Sequence, residues 1–187
     1  MGTEIERKYR LTEADAERLR ARLREVGAAG GGREFEENTL YAGANLEPGR
    51  RNLRLRRVGA RGVLTMKERQ PSEPNFKTHR EEETDVADAE AVAAILSALG
   101  YAPALVYEKR RETWHLGAAE VVIDELPFGL FAEIEGDPDA ILAAERALGL
   151  DALTPEPRTY PDLTREHGSP RGGVIEARFG AGGQADG

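Results

Sequence analysis

The chain has 187 residues, 40% of them hydrophobic, a formal net charge of −8 and no cysteine. This length and composition fit one ordinary domain with its own core, and the missing cysteines exclude disulfides and thiolate chemistry. The acidic balance argues against general nucleic-acid binding, and no apolar run approaches the roughly 18 residues that cross a bilayer. We therefore expect a cytoplasmic protein without nucleic-acid or membrane partners.

Three helices are predicted from apolar spacing and terminal residues, at about 13–26, 89–99 and 137–149. Thr12 and Asp88 are the expected N-caps of the first two helices, because their side chains can accept a hydrogen bond from a free backbone N–H of the first turn. Pro138 is expected at the first helical position of the third helix, where a missing N–H costs nothing.

Eight strands are predicted around the helices, at 3–10, 34–42, 51–58, 62–69, 76–86, 103–115, 119–125 and 130–136. One charged strand, one helix ending in Gly and several strands follow each other twice, which suggests an internal duplication. Eight antiparallel strands can close into a barrel, and closure removes exposed strand edges. The predicted fold is therefore α+β, an eight-stranded antiparallel barrel with helices packed outside.

The C-terminal segment 168–187 contains seven glycines and no apolar periodicity. Such a composition cannot bury enough apolar surface to offset the entropy of ordering. We therefore expect a single domain at 1–167, followed by a disordered tail at 168–187.

Charged residues recur with period two in nearly every predicted strand. EIERK at 4–8 is the first example, and LRLR at 53–56, EEE at 81–83, EKRR at 108–111 and FAEIEG at 131–136 repeat the pattern. Alternate residues of a strand share a face, so each strand carries one charged face.

Any one such strand taken alone is best interpreted as a solvated outer face. Taken together, the strands favour a charged tunnel that holds a ligand, because packing a core with ion pairs is costly. Arg and Lys suit phosphate oxygens, and clustered carboxylates suit Mg²⁺ or Mn²⁺. A triphosphate with a divalent metal meets both requirements. The three histidines show no metal-ligand spacing, and no chemistry is assigned to them.

The chain resembles the CYTH superfamily, the triphosphate tunnel metalloenzymes, over roughly residues 2–167. The resemblance is carried by EIERK together with ENTLY at 37–41, LRLR, LTMK at 64–67, EEE, EKRR, VVID at 121–124, FAEIEG and RTYPDL at 158–163. It implies a tunnel-shaped barrel and a metal-dependent enzyme acting on a small-molecule triphosphate such as tripolyphosphate, thiamine triphosphate or ATP. A monomer or homodimer is expected.

The resemblance also implies roles for individual residues. The phosphate-binding residues would be Lys8, Arg54, Arg56, Lys67, Lys109, Arg111 and Arg158. The metal ligands would be Glu4, Glu6, Glu81, Glu83, Asp124, Glu133 and Glu135. The catalytic set would be Lys8, Glu4 and Glu6, with Lys8 orienting or deprotonating a water.

The sequence differs from the common family pattern at three places: Ala42, Glu68-Arg69 and His79. The charged residues predict triphosphate chemistry without choosing its form. Hydrolysis is preferred, because cyclisation of ATP by a class IV adenylyl cyclase would also need a nucleoside pocket. A non-catalytic polyphosphate- or nucleotide-binding module is a further alternative, and a purely structural barrel is the least favoured.

Overall fold

A computed structural model describes residues 2–43, 45–47, 49–71 and 76–180. The strands are β1 Gly2–Leu11, β2 Ala29–Ala42, β3 Arg51–Val58, β4 Arg61–Gln70, β5 Lys77–Val86, β6 Ala102–Leu116, β7 Ala119–Leu126, β8 Gly129–Glu135, β9 Ser169–Arg171 and β10 Val174–Ala177. The helices are α1 Glu13–Glu25, α2 Ala89–Ala98, α3 Pro138–Leu148 and α4 Tyr160–His167, with a short 3-10 turn at Leu150–Ala152.

The eight strands β1 to β8 form a closed antiparallel barrel in the order β2-β3-β4-β5-β1-β8-β7-β6, and β6 pairs back with β2. The predicted α+β barrel is confirmed. Its strand limits lie close to the predicted ones, and the largest difference is the start of β2 at Ala29 instead of residue 34. That extra length pairs with the end of β6 through the Gly-rich segment 30–32, where a register shift occurs.

The element order repeats within the chain. β1-α1-β2-β3-β4 is followed by β5-α2-β6-β7-β8. If each strand of the first half is replaced by the corresponding strand of the second half, and vice versa, the strand order around the barrel is the same but runs in the opposite direction. This two-fold topology agrees with the internal duplication suggested by the sequence. β1 and β5 pair at its centre, so the two strands that lead the halves lie side by side.

The main hydrophobic core lies between the barrel wall and the helices. Outward residues of β1 and β8, such as Tyr9 and Ile134, pack with Leu19 of α1 and Ile141 of α3. A second core forms under α2 on the outer face of β3 and β4. Alternation along each strand then turns the intervening polar residues into the barrel. Apolar burial outside therefore fixes which residues face inside.

A third hydrophobic cluster closes one end of the barrel. Leu105 and Phe131 of the barrel pack with Tyr160 and Leu163 of α4 and with Ala177 of β10. No helix was predicted at 160–167, although Thr159 and Asp162 form a capping box there. Eight residues are too few to show a helical period in the sequence.

The expectation of a disordered tail from residue 168 is wrong for its first part. β9 and β10 form a hairpin, and β10 pairs in parallel with β6 through Ile175 and Leu105. Its inner residue Ala177 is buried, and Arg178 binds Glu37 and Glu108 on the outer barrel wall. The glycines at the hairpin tip supply positive φ angles instead of disorder. Residues 181–187 of the predicted tail lie outside the described residues.

None of the helices in the described part of the chain is long and apolar enough to cross a membrane.

A buried ion-pair network ties β1 to α3. Arg7 donates to both carboxylate oxygens of Glu145 at 3.0 and 2.8 Å, and the Tyr9 hydroxyl donates to the same carboxylate. The Arg7 and Glu145 side chains are only 11% and 8% exposed. The pair therefore brings together two opposite charges that are largely removed from water.

We expect Glu145→Ala to lower the free energy of unfolding by about 3–5 kcal/mol, because it removes the buried carboxylate that pairs with the Arg7 guanidinium and accepts from Tyr9. Urea denaturation of the full chain measures this loss. The control is Arg146→Ala on the exposed side of the same helix, which should change stability by less than about 0.5 kcal/mol. Equal effects of the two variants would contradict the proposed importance of the network.

Candidate active site

The charged face of β1 points into the barrel, between neighbours on both sides. Glu4 and Glu6 lie opposite His79 and Lys77 of β5, and Lys8 lies opposite Glu133 of β8. Side chains that share a face of directly paired strands are about 5 Å apart at Cβ. Register alone therefore brings carboxylates and amines together inside the barrel.

One cavity inside the barrel collects most of the predicted site residues. Those that line it are Glu4, Glu6, Lys8, Arg54, Arg56, Lys67, Lys109, Arg111, Glu133 and Glu135. Thr159, Tyr160 and Pro161 at the start of α4 contribute to its wall. The ten predicted residues come from five strands, β1, β3, β4, β6 and β8, which the fold brings to one place.

Lys67 joins two of the acidic residues. Its ammonium lies 2.5 Å from Glu4 and 2.8 Å from Glu81. Burial and the hydrogen bond with Glu4 raise the pKa of Glu81 to about 8. Burial alone would raise the pKa of Glu4 as well, but Glu81 and Lys67 outweigh it and lower that pKa to about 2. The two carboxylates thus share a proton close to neutral pH.

Glu135 extends this acidic cluster towards the mouth of the barrel. Burial, followed by the charge of Glu4, raises its pKa to about 7. For both Glu81 and Glu135, neighbouring carboxylates add to the effect of burial, which indicates negative charge that the nearby cations do not fully neutralise. This part of the cavity is therefore suited to an added cation.

A second cluster centres on Arg111. Its guanidinium donates to both oxygens of Asp124 at 2.7 and 2.6 Å and to Glu133 at 2.8 Å. Asp124 is fully buried and also accepts from the Tyr160 hydroxyl at 2.7 Å. Asp124 does not itself line the cavity, so its role here is to hold Arg111 and Tyr160 in place.

Lys8 lies between these groups and α4. Its ammonium is 3.2 Å from Glu133, 3.3 Å from the Arg158 carbonyl oxygen and 3.5 Å from the centre of the Tyr160 ring. A cation over an aromatic face is stabilised by the ring quadrupole. Lys8 is therefore held as a hydrogen-bond donor at the closed end of the cavity.

Lys109 is also buried, and its ammonium lies 3.3 Å from Glu36 and 3.6 Å from Asp124. Burial, reinforced by the charge of Arg111, lowers its pKa to about 8. Glu36 was not predicted as a site residue, although it is 2% exposed and also lies 3.5 Å from Arg56. The period-two row of Glu36 and Asn38 in β2 is the sequence signal that could have identified it.

The remaining predicted acid, Glu83, lies beside the cavity. It accepts from Thr65 at 2.9 Å and lies 3.8 Å from Arg54, with 42% of its side chain exposed. The structure thus places it at the barrel mouth, beyond the cluster around Lys67.

Arg158 is the predicted residue whose position differs most from its expected role. Its guanidinium binds Glu156 and Glu166 outside the cavity, at 2.6 and 2.7 Å. Only its carbonyl oxygen faces the cavity side, where it accepts from Lys8 and Lys77. The expected binding of phosphate by the Arg158 side chain is therefore not supported by its position.

Three further lining or bordering groups escaped the sequence prediction. Lys77 lies 3.3 Å from Glu6, His79 lines the cavity, and Tyr160 closes it. Lys77 and His79 share the inward face of β5 with Glu81, so the period of that strand was a usable signal. Tyr160 could not be found this way, because it lies on a helix outside the strand pattern.

The carboxylates of the cavity are ligands of the kind that divalent metals bind, although their side chains do not surround a single point in the structure. Among the described residues, no three His, Asp or Glu side chains are placed to hold an ion as they stand. Lys67, however, supplies the positive charge between Glu4 and Glu81, and the Nδ1 atom of the buried His79 has no hydrogen-bond partner. Oxygen ligands of this kind suit Mg²⁺ or Mn²⁺.

Comparison with known proteins agrees with this architecture. A protein of Pyrococcus horikoshii is 26% identical with a TM-score of 0.74, over 86% of this chain and 98% of that one. A conserved protein of Pyrococcus furiosus is 24% identical with a TM-score of 0.73, over 86% and 99%. A candidate adenylyl cyclase from Hippeastrum, for which a dominant triphosphatase activity is described, is 16% identical with a TM-score of 0.69, over 89% and 96%.

No curated protein sequence matches the chain. The model of the CYTH domain family, in contrast, matches residues 2–160. That match includes all eight barrel strands and most of the inward-facing charged residues. The chain therefore belongs to the CYTH family.

Proposed function

We propose that this protein is a metal-dependent hydrolase of small triphosphates, with the barrel cavity as its active site. The observation that carries the proposal is the meeting of basic and acidic rows in one cavity, which Arg54, Arg56 and Lys109 line together with Glu4, Glu6 and Glu133. Basic groups can hold phosphate oxygens while carboxylates hold the metal. Catalysis then comes from positioning and charge stabilisation.

The charge balance of the cavity supports a metal–triphosphate complex as the ligand. Acidic and basic side chains already pair with one another, as in Lys8 with Glu133 and Lys109 with Glu36. A triphosphate alone would take the cations and leave buried carboxylates unpaired, which is costly. A triphosphate that enters together with a divalent metal gives both the basic and the acidic side chains a partner of opposite charge.

Within such a complex, the residues would divide the work by position. Arg54, Arg56, Lys109 and Arg111 would bind phosphate oxygens, and Glu4, Glu6 and Glu81 would hold the metal. A divalent ion supplies neutralisation of the charge that develops on the phosphoryl group. Lys8 donates hydrogen bonds to its present partners, so it would orient an attacking water by donation instead of removing its proton.

The contacts of the tyrosine rings in the cavity favour hydrolysis over cyclisation. Tyr107 and Tyr160 are the tyrosines that line the described cavity. Tyr160 donates to Asp124 and has Lys8 over one face, and Tyr107 is packed beside it in the closed end. Neither ring is available to stack on an adenine base.

The purified full chain should release phosphate from tripolyphosphate or thiamine triphosphate in the presence of Mg²⁺ or Mn²⁺, and chelation with EDTA should abolish the release. ATP should give little cyclic AMP, measured separately from phosphate. Cyclic AMP as the main product would favour the class IV adenylyl cyclase. Tight binding without turnover would instead favour a non-catalytic binding module.

Glu133→Gln and Lys67→Ala should each reduce kcat at least about 100-fold, because each removes one charged group from a preorganised site. The controls are Glu125→Gln, on the outer face of β7, and Arg18→Ala, which is 73% exposed on α1. Both controls should retain normal turnover, and circular dichroism should show all four variants folded. Near-normal activity in both site variants would contradict the assignment of the cavity.

The shared proton predicts a pH dependence of stability. Glu81 has a folded pKa of about 8 against an ordinary value of 4.5, so the folded state binds more protons between these values. Without metal, the Tm should therefore fall as the pH rises from about 5 to about 8. Saturating Mn²⁺ should flatten this decline, because a bound cation stabilises the ionised pair.

Differential scanning calorimetry in EDTA, on wild type and Glu81→Gln, isolates the contribution of this carboxyl. The variant should lose part of the decline in Tm over the same pH range. Parallel Tm curves for the two proteins would show that Glu81 does not hold the proton.

A further inference from the structure

His79 occupies an unusual position for a histidine of this chain. It lies on the inward face of β5, is 8% exposed and lines the cavity. Glu4 is its direct partner on β1, and Glu81 is the next inward residue along its own strand. The side chains of His115 and His167, in contrast, are 62% and 36% exposed. His79 is thus the histidine that belongs to the acidic part of the cavity.

The Nδ1 atom of His79 is buried without a hydrogen-bond partner. Leaving a buried polar atom without a hydrogen bond is unfavourable, so such an atom indicates a missing partner. A neutral imidazole is the form that binds metals.

The neighbouring lysines are already engaged elsewhere. Lys67 binds Glu4 and Glu81, and Lys77 binds Glu6 and the Arg158 carbonyl oxygen. The carboxylates around His79 do not hydrogen-bond to its Nδ1 atom either, since that atom has no hydrogen-bond partner in the structure. A cation attracted by those carboxylates can satisfy both kinds of group at once.

We propose that His79 is a nitrogen ligand of the divalent metal held by Glu4 and its acidic neighbours, and that it makes the site select Mn²⁺ over Mg²⁺. The inference rests on the proposed function, since it concerns the metal of the same cavity. Mg²⁺ prefers oxygen ligands in a strict octahedron, whereas affinity for nitrogen ligands increases from Mn²⁺ along the transition series. One imidazole among carboxylates therefore shifts the preference away from Mg²⁺.

Pulsed electron paramagnetic resonance of the Mn²⁺-loaded full chain tests the ligand directly. The sample contains Mn²⁺ and tripolyphosphate, which has no nitrogen, so strong ¹⁴N modulation must come from the protein. Labelling all histidines with ¹⁵N should replace the ¹⁴N pattern by the ¹⁵N pattern. The double variant His115→Gln/His167→Gln leaves His79 as the sole histidine of the three and should keep the signal.

Metal affinity gives a second, independent measurement. In isothermal titration calorimetry, His79→Gln should weaken Mn²⁺ binding by about tenfold or more, the range seen when groups that support a metal site are lost. Mg²⁺ binding should change by less than about threefold. The matched control His115→Gln should alter neither value, and circular dichroism should show both variants folded.

The outcomes separate this inference from the proposed function. Metal binding and tripolyphosphate hydrolysis without a histidine-derived signal would overturn the role of His79 and leave the function intact. An unchanged ratio of Mn²⁺ to Mg²⁺ affinity in His79→Gln would also overturn it. Absence of both metal binding and hydrolysis in the wild type would overturn the two proposals together.

Discussion

The structure depends on charge pairing inside a closed barrel. Ionised groups such as Arg111, Asp124 and Glu133 lose most of their hydration there, and each could be buried only because opposite charges lie within about 3 Å. The pairing is incomplete in one region, where Glu4 and Glu81 share a proton. A cavity that is almost neutral but locally too acidic is well prepared for a complex of opposite charges, and poorly suited to either component alone.

The outer core supplies the stability that the interior cannot. Tyr9, Ile134 and Leu55 are completely buried on the outer face of the wall, beneath the helices. Apolar burial of this kind contributes roughly 25 cal/mol for each Å² removed from water, with no need for exact charge geometry. Because the helices and the outer face of the wall supply this stability, the inward face of the barrel can carry charged residues.

The sequence predicted most of the fold because period-two alternation and turn residues are local signals. EIERK, LRLR and FAEIEG indicated both the strands and their charged face, and the family resemblance added the roles. The helix at Tyr160 and the hairpin ending at Ala177 were missed, because their burial depends on contacts with distant strands. The ion pairs between distant residues could not be predicted from the sequence either. Nothing local indicates that Arg7 binds Glu145, or that Glu36 lies beside Lys109.

The alternation along β1 also has an evolutionary consequence. Inserting one residue between Arg7 and Lys8 would turn the following side chains to the opposite face, so that the Lys8 ammonium would meet the outer core. Single-residue insertions and deletions should therefore be absent from the barrel strands of homologues. Changes in length should accumulate in turns such as 59–60 and 117–118, where strands already reverse direction. The spacing of the charged residues within each strand is thus the slowest-changing part of such a sequence, more durable than the identity of any residue outside it.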